Sequence, residues 1–138
     1  MQELTITLTR YGRSGETEED LSEARTEEIL EAISVLPEGV TNALLVIEGP
    51  ETSALYVNST EGLCAVTARA GWDNFLELIG ADQSGKVIPY VTGGQSMKIA
   101  ARQLVSAETA VVVIREFLLT GRVDRESNTW EEQFPRAQ

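Results

Sequence analysis

The side chains able to do chemistry in this chain are almost all carboxylates. Its 138 residues hold 22 Asp and Glu against 11 Lys and Arg, one cysteine and no histidine. Without histidine the chain lacks the commonest general base and metal ligand, and every His-containing triad is excluded. One thiol cannot supply a usual zinc site. Cys64 sits between Leu63 and Ala65. An apolar setting keeps a thiol protonated, so Cys64 reads as a buried, reduced cysteine and a poor nucleophile. Gly93-Gly94 follows an apolar run, but the GxxxxGK(S/T) pattern is missing, which makes it a turn and not a phosphate loop. No spacing singles out a carboxylate pair for glycosidase-type acid–base work. No catalytic residue, metal or cofactor is implied, and an enzyme working through carboxylates alone is the weakest reading.

What the carboxylates do supply is a field. The net charge is −11, and it is uneven. Residues 1–60 carry 3 basic and 12 acidic side chains, net −9, whereas residues 61–138 carry 8 and 10, net −2. Such a field repels phosphate backbones, which argues against nucleic acid or an anionic membrane as direct ligand, and it steers a basic partner. The plainer alternative is solubility. The densest acidic group, Glu16, Glu18, Glu19 and Asp20 with Glu23, falls in YGRSGETEEDLSEAR (11–25). That segment has no periodicity and reads as a loop, either solvated or in contact with the partner. Trp72 and Asp73 lie in AGWDN at a turn between strands. An aromatic beside an acid is the composition of an interface anchor, and a half-buried hairpin tryptophan is the alternative. Tyr56 and Tyr90 fall on strands, facing either way.

The elements that must position these residues follow from periodicity. ELTITLTR (3–10) alternates, with Leu4, Ile6 and Leu8 on one face, as in a half-buried strand. Thr26 reads as the cap of a helix over 27–36, with Glu27 and Glu28 at its positive end and an apolar stripe of Ile29, Leu30, Ile33 and Leu36. ALLVIEG (43–49), TSALYVNS (52–59) and GLCAVTAR (62–69) are separated by short turns and predict an antiparallel meander, ALLVI being its central strand. The segment EGPE (48–51) reads as a polar hairpin. FLELIG (75–80) and KVIPYVTGG (86–94) read as later strands, the second pushed to an edge or bulge by Pro89. MKIAARQLVS (97–106) reads as a short strand ending near Val105. In ETAVVVIREFLLTG (108–121) the β-branched run favours strand, while Ser106 as cap, Glu108 in the first turn and Gly121 past the end favour helix. Helix is preferred, because burying the Ala110, Ile114, Phe117 and Leu118 face outweighs tenths of a kcal/mol of propensity.

The sum is a single α+β domain over residues 1–138, a mostly antiparallel sheet with two main helices against it and a tail over 122–138. A chain this long buries roughly two-thirds of its unfolded surface without a staple. No stretch approaches the ~18 apolar residues of a membrane span, and the start MQELTITLTR lacks a signal-peptide pattern. A cytoplasmic location is the expectation, with the sequon Asn58-Ser59-Thr60 an unglycosylated turn.

The tail FLLTGRVDRESNTWEE (117–132) places a tryptophan in polar surroundings. With the helix before it, this stretch resembles the C-terminal signature of the first family of bacterial polymorphic-toxin immunity proteins. That signature is a helix read loosely as (A/I)-(R/K)-x-F-h-x-(T/S)-G-x-x-P, with h apolar, then a spacer and Trp-acidic. Ile114, Arg115, Phe117, Thr120, Gly121, Trp130 and Glu131 match; the proline is missing, with Asp124 or Arg125 in its place. Upstream, GWDNFLELIG, VTGGQ and a segment leading into a capped helix follow the family's order, so the resemblance covers residues 40–134. It implies a small α+β protein that binds and blocks the C-terminal domain of a cognate secreted toxin, often a nucleic-acid deaminase acting on cytosine. A deaminase's substrate groove is basic, which suits an acidic inhibitor. A small acidic effector chaperone is the competing expectation. The resemblance also makes Trp130 a fastener of the terminus, packed on the sheet or helix.

Overall fold

In a computed structural model, residues 4–13, 15–50, 53–70, 74–81, 84–123 and 129–132 are described. The chain begins with β1 (Thr5–Gly12), β2 (Gly15–Asp20), α1 (Thr26–Ser34), β3 (Val40–Glu48), β4 (Ser53–Thr60) and β5 (Leu63–Ala70). It continues with β6 (Phe75–Leu78), β7 (Val87–Thr92), β8 (Gln95–Ala100), a 3-10 turn (Ala101–Gln103), β9 (Val105–Ser106), α2 (Ala107–Thr120) and β10 (Trp130–Glu132). The fold is α+β. The main sheet is antiparallel in the order β10-β6-β5-β4-β3-β1-β2, with β9 added to β5, and β7 and β8 form a separate two-stranded ribbon.

Both helices cover one face of the sheet. Ile6 and Leu8, Leu45 and Ile47, Leu55 and Val57, Val66, Leu76 and Leu78 alternate inward from their strands. They meet Ile29, Leu30 and Ile33 of α1 and Val113, Ile114 and Phe117 of α2 in one core. The helical reading of the valine run is right: Ser106 Oγ accepts from the Thr109 amide at 3.2 Å, and Gly121 closes α2 in the left-handed region at φ 74°. Helix α1 is capped differently from the expectation. Arg25, not Thr26, is its N-cap residue, with no side-chain capping bond, and its guanidinium instead bonds Glu28 at 2.9 Å.

Three further corrections have physical causes. Residues 15–20, read as loop, are the edge strand β2, exposed along its whole length. An edge strand is held by backbone pairing to one neighbour, so its side chains need not alternate and leave no periodic signal. The sequon Asn58-Ser59-Thr60, read as a turn, is the buried end of β4. Its polar groups tolerate burial because the ribbon bonds Asn58 and Thr60 on one side while Ser59 donates to the Ile33 carbonyl of α1 at 2.9 Å on the other. The single strand expected over 97–106 is broken by the 3-10 turn into β8 and β9, which belong to different sheets. Pro89 lies, as its missing donor requires, in the ribbon outside the main sheet.

Candidate partner-binding face

The face of the sheet away from the helices is only partly covered. At one end the β7–β8 ribbon sits on β3 and β4 through a closed polar network. Asn42 Nδ2 donates to Asn58 Oδ1 at 2.7 Å, and the Gly94 amide donates to Asn42 Oδ1 at 3.1 Å. Asn58 Nδ2 donates to the Val91 carbonyl at 3.0 Å, and the Thr60 hydroxyl donates to the same carbonyl at 2.6 Å. The Tyr90 hydroxyl lies 2.9 Å from the Asn58 carbonyl and 3.0 Å from that of Leu63, either of which can take its proton, while Asn58 Nδ2 donates to it at 3.0 Å. Burial pushes the Tyr90 phenol above its ordinary range, so it stays a donor at neutral pH. Among the described residues no buried side-chain polar atom lacks a partner, as a rigid ribbon joint requires.

Beyond the ribbon the same face carries side chains that are mostly half-buried or exposed. Strand register places Leu44 and Val46 of β3 beside Tyr56 of β4 and Ala65 and Thr67 of β5. All five are half-buried. On β1 the residues sharing this face are Thr7, the buried Thr9 and Tyr11, and on β2 they are Asp20, Glu18 and Glu16, all exposed. Three carboxylates therefore border an apolar strip. Glu19 points the other way and is tied to Arg10 at 2.8 Å. No ion pair reaches Glu16, Glu18 or Asp20 among the described residues. Glu16 and Glu18 act on Tyr11, whose phenol is raised first by partial burial and then by their negative charge. Hydrogen bonds from Ser22 hold the Asp20 carboxyl below its usual range.

The sequence-predicted residues thus divide. Glu16, Glu18, Asp20 and Tyr56 come together on one face, whereas Glu19 is turned off it and Glu23 stands exposed in the turn after β2. Trp72 and Asp73 lie outside the described residues. Tyr90 is buried in the ribbon joint rather than available at the surface. The residues that carry the resemblance are structural. Phe117 is core, Gly121 is the α2 terminator, and Arg115 bonds Glu27 across the helix pair at 3.3 Å. Trp130 is half-buried against the core on β10, which pairs with β6, and Arg102 holds the neighbouring Glu131 in an ion pair.

One feature of the surface had no reading in the sequence. A cavity of about 800 Å³ opens at the end of the sheet, lined among others by Arg13, Glu38, Glu61, Leu63 and Tyr90. Its rim includes the two-residue turn between β4 and β5, where Glu61 takes φ 48° and Gly62 φ 82°. A Glu-Gly pair between two apolar runs is a hairpin signal of this type, with glutamate in place of the favoured asparagine. Cys64 is fully buried, and burial pushes its thiol up to about 11, which leaves it protonated at neutral pH. Among the described residues no helix is long and apolar enough to cross a membrane. No protein-family model matches the chain, and no curated protein matches it.

Proposed function

We propose that this protein binds a basic protein partner through the open sheet face and its acidic border, and that the partner is a cognate secreted toxin domain which it neutralises in the cytoplasm. The observation that carries the reading is the alignment of Glu16, Glu18 and Asp20, all exposed, with the half-buried Leu44, Val46 and Tyr56 on the sheet face away from the helices. An apolar centre with a charged rim is the layout of a protein interface. The sign of the rim suits a groove built for a polyanion, and the C-terminal resemblance points to a nucleic-acid deaminase acting on cytosine. Inhibition is then occlusion: the acidic border takes the place of phosphates at the groove's basic walls, and the immunity side supplies no chemistry.

Co-expression with the toxin domain encoded beside it tests the proposal. Growth rescue together with a stable complex is the expected result. A complex without rescue would instead identify an effector chaperone, and failure of both would remove the reading. The association rate should fall as salt rises, because screening shortens the reach of the acidic border to about 8–10 Å at 0.1–0.15 M.

A further inference from the structure

The backbone of β2 offers more than its charges. The Leu21 amide donates to the Ile6 carbonyl at 2.8 Å, which sets the hydrogen-bonded phase of the ladder at Ile6 and Leu21, while the Ile6 amide donates to Ser22 Oγ at 2.9 Å. Hydrogen-bonded pairs alternate along an antiparallel ladder. The β1–β2 register runs without a bulge from Thr7–Asp20 to Gly12–Gly15, so Glu19, Thr17 and Gly15 also bond inward to β1. The amides and carbonyls of Glu16, Glu18 and Asp20 therefore point outward, along the free edge of the sheet. The edge has no proline and no bulge to blunt it. The opposite edge strand, β10, has only three residues.

We infer, building on the partner-binding reading, that β2 is a strand-pairing site: an extended segment of the partner, with lysine or arginine at alternate positions, adds to the sheet along Glu16–Asp20. The backbone supplies the binding groups, as in other strand-addition complexes. Side chains select the occupant. Glu16, Glu18 and Asp20 project on one face at every second residue, the spacing at which directly opposed cross-strand side chains meet. A second copy of this chain would set acid against acid, so self-pairing is disfavoured. A basic strand is matched at all three positions on the face shared with Thr7, Thr9 and Leu44, and its other side chains point to the opposite face, beside Thr17 and Glu19.

The test separates backbone from charge. Glu18→Pro removes the outward amide and the carboxylate, and it leaves the inward bonds to β1 intact. Glu18→Thr removes the carboxylate alone. The probe is a capped peptide of alternating lysine and threonine, as long as β2, titrated against the labelled protein by NMR, with a glutamate–threonine peptide as control. In the wild type the basic peptide should shift the Glu16, Glu18 and Asp20 amides and slow their exchange, and the acidic peptide should not. Glu18→Thr should weaken binding about two- to threefold, and Glu18→Pro about tenfold or more beyond that. Equal losses in the two variants, or shifts confined to other parts of the molecule, would overturn strand pairing. A toxin complex that Glu18→Pro leaves intact would overturn it too, with the partner reading standing. Peptide pairing at β2 without any toxin complex would do the reverse.

Discussion

Replacing Asn58 with alanine probes the joint that seats the β7–β8 ribbon on the main sheet. Asn58 is 4% exposed and Asn42 is 0% exposed, and each is bonded to the other. Truncation leaves the Asn42 amide group without its acceptor in a site closed to water. An orphaned buried donor costs about 1–3 kcal/mol. The Val91 carbonyl keeps the Thr60 hydroxyl at 2.6 Å, and the Tyr90 hydroxyl keeps two carbonyls, so neither is stranded. Adding the void left by the side chain gives a total of about 2–4 kcal/mol. Urea unfolding should show the loss as a lower midpoint at similar slope. Hydrogen exchange should show it concentrated in β7 and β8, whose polar bonds to β3, β4 and β5 run through this network. A double-mutant cycle with Asn42→Ala should find the second change much cheaper once the first is made, since both remove the same bond. A cost below about 1 kcal/mol, or additive costs in the cycle, would refute the view that this network seats the ribbon.

Three further outcomes are expected. Trp130→Ala should cost on the order of 2–3 kcal/mol in urea unfolding, because a half-buried indole leaves the core, while affinity of the folded protein for the proposed partner stays near wild type. Stability should fall between about pH 9 and pH 11. The Cys64 thiol is raised from 9.0 to about 11 and Tyr90 is raised as well, so the folded state holds protons that the unfolded state has released. The contribution is intact below pH 9, and Cys64→Ala should flatten that part of the profile in thermal melts. Gly12→Ala should cost several kcal/mol, since a Cβ there would lie 2.2 Å from the Gly39 carbonyl oxygen; a melting temperature within about 2 °C of wild type would show that the α1–β3 turn gives way freely.

The α+β class, the β3–β4–β5 meander, the second helix with both its caps and the burial of Cys64 were legible in the residues, because each rests on local signals. These are alternation at period two, an apolar stripe at helical spacing, a serine before and a glycine after. The acidic segment was legible as a concentration of charge and illegible as a strand. Its pairing with β1 is made by backbone groups that every residue carries, and no side-chain pattern reports them. Asn58 and Thr60 read as part of a turn for the complementary reason: their partners, Tyr90 and Val91, lie about thirty positions on, and only the folded chain brings those acceptors within reach. Composition alone determined that the surface would be acidic. The tertiary structure decided which carboxylates share a face and which, like Glu19, are turned away, because a pleated strand sends neighbouring side chains to opposite sides of the sheet and its register with β1 sets which side each one takes.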